Sequence, residues 1–297
     1  MKQKYWPVLD IPEGVEGAYS IKHLHFKVGH KFHTATARTA LFGQQSKAVK
    51  FDKRVRFHQL VQEDQGVWMT DEPVEQAQAN NILEGYYGTV LVGGLGLGYA
   101  AANLAANPDV EQVTVVEISS EVIKLVNQHL PDDDGKITVV CADLFEYLKD
   151  RTPGTFDMAF YDIWQSDSED TFFHTVCPLL TLSEDIVEEI PRCWNEDVMR
   201  GQLFFGMQQS LMFLSLPPAE RKKFMRCRRD GHEYEVTLDD LCTPQDSIWW
   251  DWKIEFWRWF RNNDGMSKPR SKNIEDALGH YVTWYGRPEF TYMWPPK

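Results

Sequence analysis

Residues 89–106 constrain this chain more tightly than any other stretch. Thr89-Val90-Leu91-Val92 is a compact apolar run of strand type. It passes directly into Gly93-Gly94-Leu95-Gly96-Leu97-Gly98, after which Tyr99-Ala100-Ala101-Ala102-Asn103-Leu104-Ala105-Ala106 reads as a helix. A buried strand that turns through bare backbone into a helix N-terminus presents N–H groups and the positive end of the helix dipole to a ligand. The alternation continues downstream. Gln112-Val113-Thr114-Val115-Val116 is a second buried strand ending at Glu117, and Ser119 caps the helix that follows. Ile137-Thr138-Val139-Val140 ends at Cys141-Ala142-Asp143, and residues 156–161 end at Asp162. Strand and helix periods in this order predict a parallel α/β sheet. The glycine loop, Glu117, Asp143 and Asp162 then all fall at its carboxyl edge, where open α/β sheets hold their ligands. An acid at the tip of the second strand is placed to accept hydrogen bonds from both hydroxyls of a ribose, so the expected ligand contains a nucleoside.

Glycine spacing chooses among nucleosides. Dinucleotide enzymes need G-x-G-x-x-G/A just past the first strand. Gly94-x-Gly96 meets Tyr99 where the third small residue belongs, and Gly96-x-Gly98-x-x-Ala101 begins four residues beyond Val92, too late for the tight turn. The loop is better described as the G-x-G-x-G of S-adenosylmethionine (SAM) enzymes. Over about residues 68–200 the chain resembles the class I SAM-dependent methyltransferase superfamily, and within it the spermidine synthase-like branch. The matching stretches are residues 90–98, Val115-Val116-Glu117-Ile118, Cys141-Ala142-Asp143, and Phe156-Asp157 through Asp162. The resemblance implies a Rossmann-like SAM-binding sheet. Gly93, Gly94, Gly96 and Gly98 would cradle SAM, with Glu117 at the ribose hydroxyls, Asp143 at the adenine amino group, and Ile118 and Leu144 also binding the cofactor. Asp162 would lie beside the sulfonium, oriented to accept a proton from the acceptor as catalytic base. Trp68-Met69-Thr70-Asp71-Glu72-Pro73 looks like the segment leading into the substrate pocket, so Asp71, Trp164 and Gln165 are the substrate-side candidates.

Two positions depart from the polyamine synthases. Those enzymes carry an Asp inside the glycine loop, where this chain has Gly96, and a second acid three residues after the catalytic Asp, where it has Gln165. Asp167, Glu169 and Asp170 lie near the second position. The expected activity is therefore methyl transfer from SAM to a small-molecule or nucleotide acceptor. Aminopropyl transfer from decarboxylated SAM is the alternative, and a catalytically silent SAM-fold binding protein the second alternative. No Asp/Asn-Pro-Pro-Tyr segment is present, and Cys177-Pro178 reverses the Pro-Cys order of a cytosine C5 nucleophile.

The rest of the sequence sets the frame. The net charge of -13 over 297 residues argues against a nucleic-acid coat, although residues 1–60 hold eleven Lys or Arg and four acids. Five cysteines without a Cys-x-x-Cys pair indicate neither a disulfide framework nor a zinc knuckle. No window resembles a membrane span, and the first residues lack the apolar core of a secretory signal, so a cytoplasmic location is expected. Pattern divides the chain into a β-rich region at 1–70, the Rossmann-like SAM-binding domain at 71–215, and a Trp-rich, mostly helical extension at 216–297. In the first region Leu24, Phe26 and Val28 alternate with polar residues as a half-buried strand does. His23, His25, His30 and His33 read as a polar strand face among lysines rather than a metal site. Residues 221–229, from Arg221 to Arg229, read as a basic helix stopped by Gly231 and are the candidate contact for an anionic partner. Residues 249–260 read as a helix with an aromatic arc wide enough to pack intramolecularly or across a homodimer interface.

Overall fold

The computed structural model describes residues 9–33, 47–131, 135–165, 171, 175–196, 198–199, 226–229 and 232–235. The chain divides into two compact units, residues 1–167 with 179–198, and residues 168–178 with 199–297. In the first unit the strands are β1 (Gly14–Glu16), β2 (Tyr19–Phe26), β3 (Lys31–His33), β4 (Ala48–Lys50), β5 (Val55–Gln62) and β6 (Gly66–Thr70). Helix α1 (Pro73–Ile82) then leads to β7 (Gly88–Gly93), α2 (Tyr99–Ala105), β8 (Val110–Glu117), α3 (Ser120–Val126), β9 (Ile137–Cys141), α4 (Leu144–Lys149) and β10 (Met158–Tyr161). Helix α5 (Cys177–Ser183) and β11 (Arg192–Cys193) follow.

Strands β7 to β11 form one five-stranded parallel sheet in the order β11-β10-β7-β8-β9. Together with its helices it is the Rossmann-like α/β architecture expected from the sequence. The apolar runs explain it: Val90, Leu91, Val92, Val113, Val115, Met158 and Phe160 are all buried, as strands covered on both faces require. The chain runs outward from β7 through β8 to β9, then returns to the other side of β7 as β10. The order therefore reverses between β7 and β10, which opens a crevice beyond their carboxyl ends. Asp157 fixes the opposite end of that pair, accepting from the Thr89 backbone N–H at 2.6 Å and the Thr89 hydroxyl at 2.7 Å.

The N-terminal strands form a separate antiparallel sheet, β1-β2-β5-β6. Ile21 and Leu60 from this sheet join the buried core that contains Val90, Val92, Val113 and Phe160. The alternation read over Leu24, Phe26 and Val28 stops short: β2 ends at Phe26, and Val28 is 61% exposed because the chain turns away at Gly29. Phe51, Val55 and Phe57 make a smaller cluster with Phe26 and Phe32 packed against it. His23 and His25 lie on one strand with ring centroids 6.1 Å apart, and His23 Nε2 is 2.8 Å from the Ile11 carbonyl oxygen.

In the second unit the described residues form a hairpin, β12 (Arg226–Arg229) paired antiparallel with β13 (His232–Glu235). This corrects the helix expected through Arg229. The register sets Arg226 opposite Glu235 and Arg228 opposite Glu233. Gly231, read as the helix stop, lies outside the described residues. Residues 221–225, Asp167, Glu169, Asp170 and the aromatic segment 249–260 lie outside the described residues. Among the described residues no helix is long and apolar enough to cross a membrane, and no group of three or more His, Cys, Asp or Glu is arranged to hold a metal ion.

Candidate active site at the carboxyl edge of the parallel sheet

A cavity of about 410 Å³ occupies the crevice, within the size range of small-molecule sites. The parallel sheet supplies one side through Gly94, Leu95, Gly96, Glu117, Ile118, Asp143, Leu144 and Asp162. The N-terminal sheet and α1 supply Tyr19, Leu60, Trp68, Met69, Asp71 and Glu75. Gly93 ends β7 and Gly98 is the N-cap of α2; both shape the turn without lining the cavity.

The glycine loop is glycine for packing reasons at two positions. Gly94 has φ +94°, and a Cβ there would lie 2.3 Å from the Asp162 carbonyl oxygen, so only bare backbone lets the loop pass the end of β10. Gly96 has φ +51°, and a Cβ there would lie 2.3 Å from Met69 Sδ. The loop is anchored where it leaves β7: the Gly94 N–H donates to the Val116 carbonyl at 2.8 Å, and the Asp162 N–H to the Gly93 carbonyl at 2.8 Å.

Glu117 is 9% exposed and ends β8 as expected. Its Oε2 accepts from the Leu95 N–H and its Oε1 from the Ser119 N–H, each at 2.8 Å. An ionised carboxylate has about four acceptor positions, so two remain after these bonds. Tyr19 lies in the same lining; burial, then Glu117 and Glu121, push its phenol above its ordinary pKa. Asp143 is exposed and serves first as the N-cap of α4, its Oδ1 accepting from the Phe145 N–H at 2.8 Å and the Glu146 N–H at 3.1 Å. Ile118 is 67% exposed beside Glu117, whereas Leu144 is buried.

Asp162 is half-buried at the cavity. Burial, and secondarily the nearby carboxyl of Glu75, push its acid up to about 8. Glu75 is pushed up to about 7 by burial and by Glu72. Of the substrate-side candidates, Asp71 reaches the cavity, but both of its carboxylate oxygens are held by His58. The His58 N–H donates to Oδ1 at 2.5 Å, and Nδ1 lies 2.6 Å from Oδ2. Trp164 lines the cavity half-buried, and Gln165 is exposed at its rim, donating to the Val67 carbonyl at 3.3 Å.

Sequence reasoning missed Glu75, Tyr19, Trp194 and Asn195, all of which line this cavity. Pro73 at the first position of α1 is a helix-start signal that places Glu75 in the first turn, a position where the sequence alone does not tell a cavity acid from one that merely suits the helix dipole. Asn195 has φ +54°, a left-handed conformation that Asn adopts more readily than most residues.

No protein-family model matches the chain. A curated polyamine aminopropyltransferase 2 from Caldanaerobacter subterraneus subsp. tengcongensis is 34% identical over 77 residues, covering 25% of this chain and 26% of that protein. The crystal structure of spermidine synthase from Thermotoga maritima is similar at 20% identity and TM-score 0.33, covering 45% of this chain and 50% of that one. A SAM-dependent methyltransferase from Archaeoglobus fulgidus is similar at 20% identity and TM-score 0.29, covering 39% and 48%. The chain thus spans about a quarter of the curated relative and half or less of these two structures. The solved structures to which it is similar thus include a SAM-dependent methyltransferase and a spermidine synthase.

Proposed function

We propose that this chain is a SAM-dependent transferase that methylates a small acceptor. The observation that carries the reading is the convergence of the bare loop at Gly94 and Gly96, the doubly anchored Glu117 and the half-buried acid Asp162 on one cavity. The residues fit the ligand: the two acceptor positions left on Glu117 suit a ribose diol, and the loop offers backbone where an adenosine must pass close. When bound, SAM supplies a methyl group already activated by its sulfonium. The chain then has to bind, align and exclude water, work that contributes through orientation rather than covalent chemistry. Asp162 orients the acceptor and takes its proton, for which it must be ionised. Trp164 lines the cavity, where an aromatic ring would favour a cation.

Methyl transfer is preferred over aminopropyl transfer because neither position that carries an acid in polyamine synthases offers one here. The space beside Gly96 is filled by Met69, and Gln165 is turned to the Val67 carbonyl. The 77-residue similarity to an aminopropyltransferase favours the second reading, transfer from decarboxylated SAM. Calorimetric titration with SAM, decarboxylated SAM and NAD separates them. Tight SAM binding is expected; preference for the decarboxylated form would replace the first reading with the second, and absence of any nucleoside binding would overturn both. Asp162→Asn is expected to abolish turnover while sparing SAM affinity.

A further inference from the structure

Positive charge is concentrated at one end of the N-terminal sheet. Between Gly17 and Gln62 the sequence carries nine Lys or Arg against one acid, Asp52, in a chain whose net charge is -13. The fold gathers four of these cations. Strand β3 pairs with β4 so that Lys31 stands directly opposite Lys50, while the neighbouring pair, Phe32 and Val49, turns inward to the cluster of Phe51, Val55 and Phe57. Alternation therefore sets Lys31, His33 and Lys50 on the outer face, where all three are exposed. The turn at residues 27–30 is bonded to the same place: the Gly29 N–H donates to the Phe51 carbonyl at 2.7 Å, and the Phe51 N–H to the His30 carbonyl at 3.1 Å. The Lys50 stem lies over this turn, since a Cβ added at Gly29 would be 3.7 Å from Lys50 Cε. Lys27 and Arg54, both exposed, flank Phe26 and Val55, the last pair between β2 and β5. His30 is exposed too, its ring resting against Phe26 and Phe32 with centroids 5.0 and 4.9 Å away.

Like charges directly opposite each other on a ladder cost the sheet stability. Among the described residues none of Lys27, Lys31, Lys50 and Arg54 forms an ion pair. The neighbouring acids are Asp10, which Arg56 engages, Asp52 in the turn before β5, and Glu72 at the start of α1, against which β3 packs. We propose that this end of the N-terminal sheet is a docking surface for single-stranded nucleic acid, whose phosphates Lys27, Lys31, Lys50 and Arg54 neutralise while a base rests on His30. Shape and charge select this occupant. The basic surface is confined to two short strands and two turns, and the rest of the chain is strongly acidic. A flat anionic membrane or a long rigid duplex would therefore bring negative charge against negative charge. A flexible strand can follow the four cations and leave the acidic body. An acidic peptide could follow them as well, but it has no base to lay on a histidine, whereas nucleobases stack on aromatic side chains. None of these five residues lines the cavity at the carboxyl edge, so the inference stands without the transferase reading.

The test is fluorescence anisotropy of the full chain with a labelled oligouridylate of about twelve nucleotides, a length within the range that single-strand binding folds cover. Four phosphate contacts predict a slope of about -3 for log K against log salt, or roughly a fiftyfold loss of affinity between about 50 and 200 mM. Lys31→Gln combined with Lys50→Gln is expected to halve the slope and weaken binding about tenfold or more, with a thermal melt at or above wild type because the facing charges are gone. His30→Ala is expected to weaken binding about fivefold or more. Lys149→Gln, at an exposed lysine on α4, is expected to change nothing. Oligothymidylate bound equally well would assign the surface to single strands of either sugar, and a preference for uridylate would assign it to RNA through the 2′-hydroxyl; both support the proposal. No binding at about 50 mM salt would overturn it. So would polyglutamate, phosphatidylserine vesicles or duplex RNA bound as tightly as the oligouridylate, or an unaltered affinity in the folded double variant or in His30→Ala. SAM titration of the same variants is expected to match wild type. A chain that binds the strand but no SAM keeps this inference and loses the transferase reading, so the two fail separately.

Discussion

Glutamine at position 117 tests the nucleoside site most directly. Glu117 braces two backbone segments at once, since Oε2 holds the Leu95 N–H of the glycine loop and Oε1 holds the Ser119 N–H ahead of α3. Glutamine keeps the volume but has one acceptor oxygen and one donor nitrogen. It therefore satisfies one of these N–H groups and turns a donor toward the other. The fold loses one charge-assisted bond and leaves a buried donor unmet, overlapping costs that together come to roughly 2–3 kcal/mol. A ribose that donates both hydroxyls to the carboxylate loses a further charged acceptor, about 1.5–3 kcal/mol, or roughly ten- to a hundredfold in Kd. Urea unfolding reads the first cost as a lowered midpoint at unchanged slope. Titration with SAM, well below the melting range, reads the second. If the midpoint falls while SAM affinity stays within about threefold, Glu117 is only a brace and the ribose assignment is wrong. If neither moves, the brace is wrong as well.

Gly94→Ala is expected to destabilise by more than the ~1–2 kcal/mol of a left-handed alanine, because its Cβ would meet the Asp162 carbonyl oxygen at 2.3 Å; a thermal melt equal to wild type would contradict the close approach. Asp71→Asn breaks the buried pairing with His58 and is expected to cost about 3 kcal/mol with little change in SAM affinity, measured by urea unfolding and titration; a large affinity loss at full stability would instead make Asp71 a ligand. The raised acids Glu75 and Asp162 predict a pH dependence. Both bind protons more tightly in the folded chain, so their contribution to stability is fully present below about pH 4 and is lost as pH rises through about 7 and 8. Melts across this range should show that slope, and it should flatten in Glu75→Gln and Asp162→Asn. For catalysis the sign is opposite, since the base must be ionised: kcat/KM should rise with pH up to about 8, and a profile flat from 6 to 9 would remove Asp162 from the proton transfer.

The parallel sheet was legible because burial on both faces writes itself into sequence as short unbroken apolar runs, and each run here ends in a loop residue of distinct chemistry: Gly93, Glu117, Asp143 and Asp162. Strand ends fix neighbours along an edge, so the joint position of these residues followed from topology alone. The other wall did not. Glu75 and Tyr19 reach the cavity through the packing of α1 and the N-terminal sheet, and tertiary packing leaves no period in the local sequence. Asp71 was selected by its position in the approach segment, yet the residue that engages its carboxylate, His58, lies on β5, thirteen residues earlier. The basic run at Arg226–Arg229 misled for another reason: charged residues without apolar spacing have no period to distinguish helix from strand, and here they form β12 of a hairpin.

Gly96 and Met69 show how a departure in one motif is tied to a residue outside it. In the branch that this chain resembles, an acid stands where Gly96 does. Here the space is taken, because any Cβ at Gly96 would lie 2.3 Å from Met69 Sδ. The absent acid and the methionine are therefore one feature, and restoring the acid requires moving the sulfur. Gly96→Asp alone is expected to lower the thermal melt, chiefly through this contact, since Asp tolerates the φ of +51° better than most residues. Gly96→Asp combined with Met69→Ala is expected to recover part of that loss and to shift binding from SAM toward decarboxylated SAM, which keeps the amine but lacks the carboxylate that the new Asp would repel. Titration of both nucleosides against both variants measures the shift. If Gly96→Asp alone melts like wild type and already prefers the decarboxylated form, Met69 is not the obstacle, and the choice of cofactor is made elsewhere in the cavity.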